Sequence, residues 1–206
     1  MLGYYNYTVI LTYIGMLFGF IGLTCAIDGQ LPAAVLCLML AGICDMFDGT
    51  VAATRKRDKY EKHFGIQIDS LSDLICFGVL PAVLLYRMNE SRSLALFVAA
   101  VYVLCSLIRL AYFNVDEADR QEQTSAPRTI YRGLPVTLAA LIIPALYQFG
   151  YILRLPTAKL CTVVMAGMAA AFLMPFPLKK PNIIGKICVI LCGGFELLFL
   201  LAGADI

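Results

Sequence analysis

Four aspartates in this chain are spaced for metal chemistry. Asp45 and Asp48 stand three residues apart, and Asp69 and Asp73 four apart. Residues at i,i+3 and i,i+4 share one face of a helix, so each pair projects as a stripe. One pair ends an apolar run and the other begins the next, with a short charged stretch between them. Two adjacent antiparallel helices would therefore bring both pairs together. Ionisable groups in apolar spans are costly and mark functional sites by default. Four uncompensated carboxylates at that depth repel, so either some take a proton or cations bind between them. Hard oxygen donors suit Mg²⁺ or Mn²⁺, and two such ions can clamp a phosphate or pyrophosphate. Pairing with Arg55, Arg57 and Lys62 would explain one or two of the aspartates, but not four on two facing stripes. Gly49, Ala52 and Gly65 sit beside them and leave the helix surfaces open to a bulky ligand.

The elements that must position these groups are apolar. Of 206 residues, 61% are hydrophobic and 15% charged, and the mean hydropathy is +0.82. Soluble domains run near 45–50% apolar and about 25% charged. The composition thus points to an all-α integral membrane protein. Spans of roughly 20 residues allow six to eight crossings, and the chain reads as one transmembrane domain over residues 1–206. Seven apolar segments can be drawn: 8–27, 31–52, 66–87, 93–115, 134–153, 157–174 and 183–203. The first lacks the basic flank of a signal peptide and is read as a retained span. The eight cysteines lie in apolar runs without a CxxC pair, which favours packing over metal or redox roles. A net charge of +2 gives no argument for nucleic acid.

Charge placement sets the topology. With the 54–63 loop in the cytoplasm, the inner side holds Arg55, Lys56, Arg57, Lys59, Lys62, Arg120, Arg128, Arg132, Lys179, Lys180 and Lys186. The outer side holds Arg87, Arg92, Arg154 and Lys159. The positive-inside rule then supports seven spans, with the N-terminus inside and the aspartates at the cytoplasmic face of a cell membrane. There is no Trp, so tyrosines near span ends supply the interfacial anchors.

The pattern D-x2-D-G-x2-A…G-x3-D-x3-D resembles the signature of the CDP-alcohol phosphotransferases. It reads Asp45-Met46-Phe47-Asp48-Gly49-Thr50-Val51-Ala52, then Gly65-Ile66-Gln67-Ile68-Asp69-Ser70-Leu71-Ser72-Asp73. The stretch Phe64 to Ala82, with Arg109 to Asn114 and Gly133-Leu134-Pro135, is similar to the phosphatidylserine synthase branch. The resemblance covers roughly residues 30–145. It implies that Asp45, Asp48 and Asp69 hold the metals, with Asp73 as a further ligand and general base. It implies CDP-diacylglycerol as donor, its cytidine near Gly49, Ala52 and Gly65, L-serine as acceptor, and a homodimer. One position departs: the family has Arg directly after the signature Ala, where this chain has Ala53. Either Arg57, four residues on and on that face if the helix continues so far, is the substitute, or the site is weakened.

A zwitterionic acceptor needs a cation for its carboxylate. Arg109, a charge inside a span on the resembling segment, is the first candidate, and Arg132 the second. Asn114 would hold the amine or orient a neighbour. Snorkelling to headgroups is the competing role for Arg109, and simple solvation for Arg132. Glycerol phosphate or inositol phosphate as acceptor would need a stronger basic cluster. A divalent-cation transporter would carry its acidic residues across the membrane, whereas these four sit at one face. Glu196 stands alone in the last segment.

Overall fold

The computed structural model describes residues 3–123, 130–179 and 183–203. Seven helical rods follow one another through them. A 3-10 turn at Tyr7–Val9 leads into α1 (Ile10–Ile27), followed by α2 (Leu31–Ala52). The third rod is unbroken: α3 (Lys59–Asp73), a π-helical segment (Leu74–Val79) and α4 (Leu80–Met88). Then come α5 (Arg92–Gln123), α6 (Ala139–Ile152), α7 (Thr157–Leu173) and α8 (Ile183–Gly203). Each expected segment corresponds to one rod. The first four rods are long and apolar enough to cross a membrane, and the last three contain shorter apolar helices. The all-α polytopic class holds, with one small addition. β1 (Ile130–Arg132) and β2 (Pro177–Lys179) pair antiparallel, Ile130 opposite Lys179 and Arg132 opposite Pro177.

Two boundaries differ from the sequence expectation. Helix α3 starts at Lys59 rather than at residue 66, because Asp58 and Glu61 form a capping box. The Glu61 N–H donates to Asp58 Oδ1 at 2.7 Å, and the Asp58 N–H donates to Glu61 Oε2 at 3.2 Å. Such a reciprocal cap satisfies two orphan donors and nucleates the first turn. Helix α5 runs on through 116–123, which had read as part of a polar loop. At 32 residues it spans about 48 Å, well beyond a hydrocarbon core. Arg120 and Glu117, 2.6 Å apart at i,i+3, brace the charged extension.

Packing relies on small residues. Thr12, Gly15, Gly19, Gly22 and Ala26 form the buried face of α1, which packs on α2 and on the third rod. A Cβ on Gly19 would lie 2.5 Å from Cys76 Sγ, and one on Gly22 2.9 Å from Cys37 Cβ. Without a hydrophobic drive between helices in lipid, such close backbone approach supplies the attraction. Large apolar side chains such as Leu17, Phe20, Phe97 and Phe195 face outward and are more than half exposed.

The third rod carries a backbone defect directly after Asp73. Pro81 has no N–H, so the Phe77 carbonyl four residues earlier loses its helical donor. The π register reaches further back, with the Leu80 N–H bonding to the Ile75 carbonyl. Tyr102 of α5, fully buried, donates its hydroxyl to the Phe77 carbonyl at 2.9 Å. Tyr102→Phe strands that carbonyl and is expected to lower stability by about 1–3 kcal/mol. Thermal unfolding in detergent micelles measures it, and an unchanged midpoint would contradict the capping role.

Tertiary bonds sort the connections into two ends. At one end, Asn6 Nδ2 donates to Glu61 Oε1 at 3.2 Å, and the Tyr7 and Thr54 hydroxyls meet at 2.9 Å. The β1–β2 pair joins the chain after α5 to the chain after α7. The turn into α6 uses Gly133 at φ +76, the left-handed region glycine adopts without strain, and its N–H donates to the Phe176 carbonyl at 2.8 Å. At the other end, Asn89 Nδ2 donates to the Ala158 carbonyl at 3.5 Å. The connections of the seven rods thus alternate between the two ends of the bundle.

Candidate active site

Six residues, 53–58, connect α2 to α3, so the two helices run back antiparallel. The last two turns of α2 then face α3. Oxygens of Asp45, Asp48 and Asp69 all lie within 4.8 Å of one another. Asp73, one turn along α3, is 9% exposed. Asp73 lines the same cleft as the other three. All four thus converge, as their spacing predicts.

The carboxylates line a small cleft, about 10 Å³ in volume, together with Thr12, Gly15, Ala41, Cys44 and Ser72. That is below the ~300–1,000 Å³ that encloses a whole organic ligand, so it suits ions and phosphate oxygens. Unit charges about 4 Å apart repel by roughly 4 kcal/mol at an effective protein dielectric. A divalent cation removes that repulsion. Oxygens bound to one Mg²⁺ lie at most ~4.2 Å apart, given 2.0–2.1 Å bonds. The observed spacing needs only small side-chain adjustments, and the donors are the hard oxygens such ions prefer. The residues therefore fit the metal.

The surfaces beside the carboxylates are bare. Gly49 is exposed, with nothing within 4 Å of where a Cβ would stand. Ala52, at the end of α2, is half-buried. At Gly65 the atom nearest to an added Cβ is Arg57 Nη1, 2.9 Å away. Arg57 also acts electrostatically on both Asp48 and Asp69. It does so from a loop, however. Helix α2 ends at Ala52 with Ala53 as its C-cap, so the helical continuation expected to align Arg57 with position 53 does not occur. The loop is held by Arg55 Nη2 bound to Glu61 Oε1 at 3.1 Å. Ala53 itself is exposed, leaving room for a longer side chain. Ala53→Arg is expected to keep or raise turnover at this site, and a large loss would refute this reading of the position.

Of the other candidates, Asn114 meets α3 from the α5 side. Asn114 is engaged at both ends of its amide: Oδ1 accepts from Ser70 Oγ at 2.6 Å, and Nδ2 donates to Gln67 Oε1 at 3.2 Å. It couples α5 to the aspartate helix. Arg109 is 7% exposed, with its guanidinium 6.0 Å from the Phe113 ring centroid. Its Nε donates to the Leu134 carbonyl at 3.4 Å. The Arg109–Asn114 and Gly133–Pro135 segments are thus brought together. Arg132 ends β1, but its side chain lies outside the described residues, as do those of Arg128, Lys179, Lys180 and Lys186.

Thr12 is a site residue that sequence reasoning missed. Its Oγ1 donates to Asp48 Oδ2 at 3.2 Å. The available signal was its place on the Thr12-Gly15-Gly19-Gly22 stripe. Cys44 and Cys76 line the same cleft, while the described cysteines are all free thiols. Glu196 is remote from the cleft lining. Its backbone carbonyl accepts from Gln148 Nε2 at 2.8 Å, and its buried Oε2 has no hydrogen-bond partner among the described residues.

Fold and site together define a polytopic helical membrane protein with a carboxylate cluster at one end of the bundle, suited to phosphate chemistry on divalent ions. The family model of the CDP-alcohol phosphatidyltransferases matches residues 5–176, and the chain belongs to that family. It is 35% identical over 159 residues to archaetidylserine synthase of Methanothermobacter thermautotrophicus, covering 76% of this chain and 64% of that protein. It is 31% identical over 175 residues to CDP-diacylglycerol–serine O-phosphatidyltransferase of Mycobacterium leprae, covering 82% and 57%. The Saccharomyces cerevisiae protein of the same name is 37% identical over 112 residues, covering 53% and 40%. The matched region thus spans less than two thirds of each relative's length.

Proposed function

We propose that this protein transfers the phosphatidyl group of CDP-diacylglycerol to L-serine, giving phosphatidylserine and CMP. The observation that carries the reading is the convergence of Asp45, Asp48 and Asp69 within 4.8 Å, with Asp73 buried one turn along. The relatives' names supply the acceptor, since all three name serine.

Asp45, Asp48 and Asp69 would hold two divalent ions, Mg²⁺ or Mn²⁺, with Asp73 as a further ligand. Bound there, the ions supply positive charge for the pyrophosphate and the leaving CMP. Gly49, Ala52 and Gly65 leave space for the cytidine, and Arg57 offers a cation beside it. Arg109 and Arg132 are the cations for the serine carboxylate, and Asn114 holds the α3 face next to them. Asp73 takes the proton from the serine hydroxyl. The serine oxygen forms a bond to the phosphorus beside the lipid, the bond from that phosphorus to the CMP oxygen breaks, and CMP leaves with the electron pair. A general base must lie within hydrogen-bond reach of its proton, and burial of Asp73 keeps competing water away.

The chain works as one transmembrane domain of a homodimer in the cell membrane, with its site at the cytoplasmic face. Support for that orientation is the eleven-to-four bias of basic residues towards the aspartate end. The test of the acceptor compares serine, glycerol 3-phosphate and inositol phosphate in CMP release from CDP-diacylglycerol. Serine alone should drive release. Faster release with either phosphorylated alcohol would overturn the serine assignment.

A further inference from the structure

Asp48 is held from a helix that carries none of the four aspartates. Thr12 lies in the first turns of α1, 8% exposed, and donates its hydroxyl to Asp48 Oδ2 at 3.2 Å. A threonine in an apolar helix ordinarily bonds back to its own helix. Thr24 does so, donating to the Ile21 carbonyl at 2.8 Å, and Thr162 donates to the Ala158 carbonyl at 2.7 Å. Thr12 instead reaches across to α2. Its own carbonyl accepts from Ser72 Oγ of α3 at 3.4 Å, and three residues on the Gly15 carbonyl accepts from Cys76 Sγ at 3.4 Å. At the depth of the carboxylates, α1 is therefore bonded to both aspartate-bearing helices. Gly15 and Gly19 allow the approach, since a Cβ on Gly15 would already stand 3.2 Å from Cys44 Cβ.

We infer that Thr12 is a positioning residue of the metal centre. A donor fixed on Oδ2 sets the plane of the Asp48 carboxylate and leaves Oδ1 for a cation. Partners of this kind orient metal ligands, and their loss typically weakens metal affinity by ~10–100-fold. The inference rests on the metal-binding reading of the aspartate cluster, so its test must separate the two.

The full chain, purified in detergent, is titrated with Mn²⁺ alone, and free Mn²⁺ is followed by its electron paramagnetic resonance signal. Thr12→Val and Thr12→Ala are expected to raise the Mn²⁺ dissociation constant ~10–100-fold, while Thr12→Ser stays within about threefold of the parent. Unfolding midpoints without metal are recorded for all three variants. A purely structural role would lower those midpoints and leave Mn²⁺ affinity unchanged, which would overturn the inference, as would a Ser variant that binds as poorly as the Val variant. Absence of Mn²⁺ binding by the parent chain itself would instead overturn the metal reading of the aspartates, and this inference with it.

Discussion

Asp73→Asn is expected to slow CMP release by at least ~10²-fold, and up to ~10⁴-fold, the range that a positioned general base contributes. The amide keeps the shape of the side chain and can still accept and donate hydrogen bonds, but it cannot take the serine proton. Three of the four carboxylates remain, so retention of the CDP-lipid should change little, and equilibrium binding of a labelled CDP-lipid checks this. Equal loss of binding and turnover would move Asp73 from base to purely metal-holding or structural work. The position supports the assignment: Asp73 is buried, lines one cleft with the other three aspartates, and stands immediately before the π-helical segment. Segments of that kind often accompany functional sites, and here the wider register follows directly on the proposed base.

Asp69→Ala is expected to remove Mn²⁺ binding and to lower turnover by ~10³-fold or more. Its carboxylate is one of three within 4.8 Å, and it is the one that α3 contributes. Metal charge at a phosphoryl centre is worth several kcal/mol of transition-state stabilisation, and about 4 kcal/mol corresponds to ~10³ in rate. Because Asp45, Asp48 and Asp69 would hold the ions together, the single substitution should do nearly as much damage as removing two of these three. Added Mn²⁺ should not rescue it. A variant that regained full rate at high Mn²⁺ would show that Asp45 and Asp48 suffice.

The aspartate cluster was legible because it depends on helical periodicity and a short connection, both of which the sequence carries. Spacings of three and four put each pair on one face, and six intervening residues turn the start of α3 back towards the end of α2, with α1 packed on both. The Asp58…Glu61 cap was also written in the sequence, but its run of charges looked like a loop, so the start of α3 was set late. The α5 extension was hidden for the same reason: its charges sit outside the lipid, where hydropathy no longer reports helix. Arg57 reaches Gly65 through loop geometry, which no periodicity encodes. Thr12 was invisible as a ligand partner because a lone hydroxyl in an apolar run is usually bonded to its own helix, and only the packing of α1 reveals that this one is not. Small residues on α1 permit close packing, but their spacing does not say against which helices.

The most direct measurement of the central claim uses the purified chain with CDP-diacylglycerol and isotopically labelled serine. Labelled phosphatidylserine and CMP are quantified together, with Mn²⁺, after chelation, and after Mn²⁺ is restored. The account predicts equal amounts of the two products, none after chelation and recovery on restoration. CMP formed without labelled lipid, or labelled lipid formed undiminished after chelation, would contradict it.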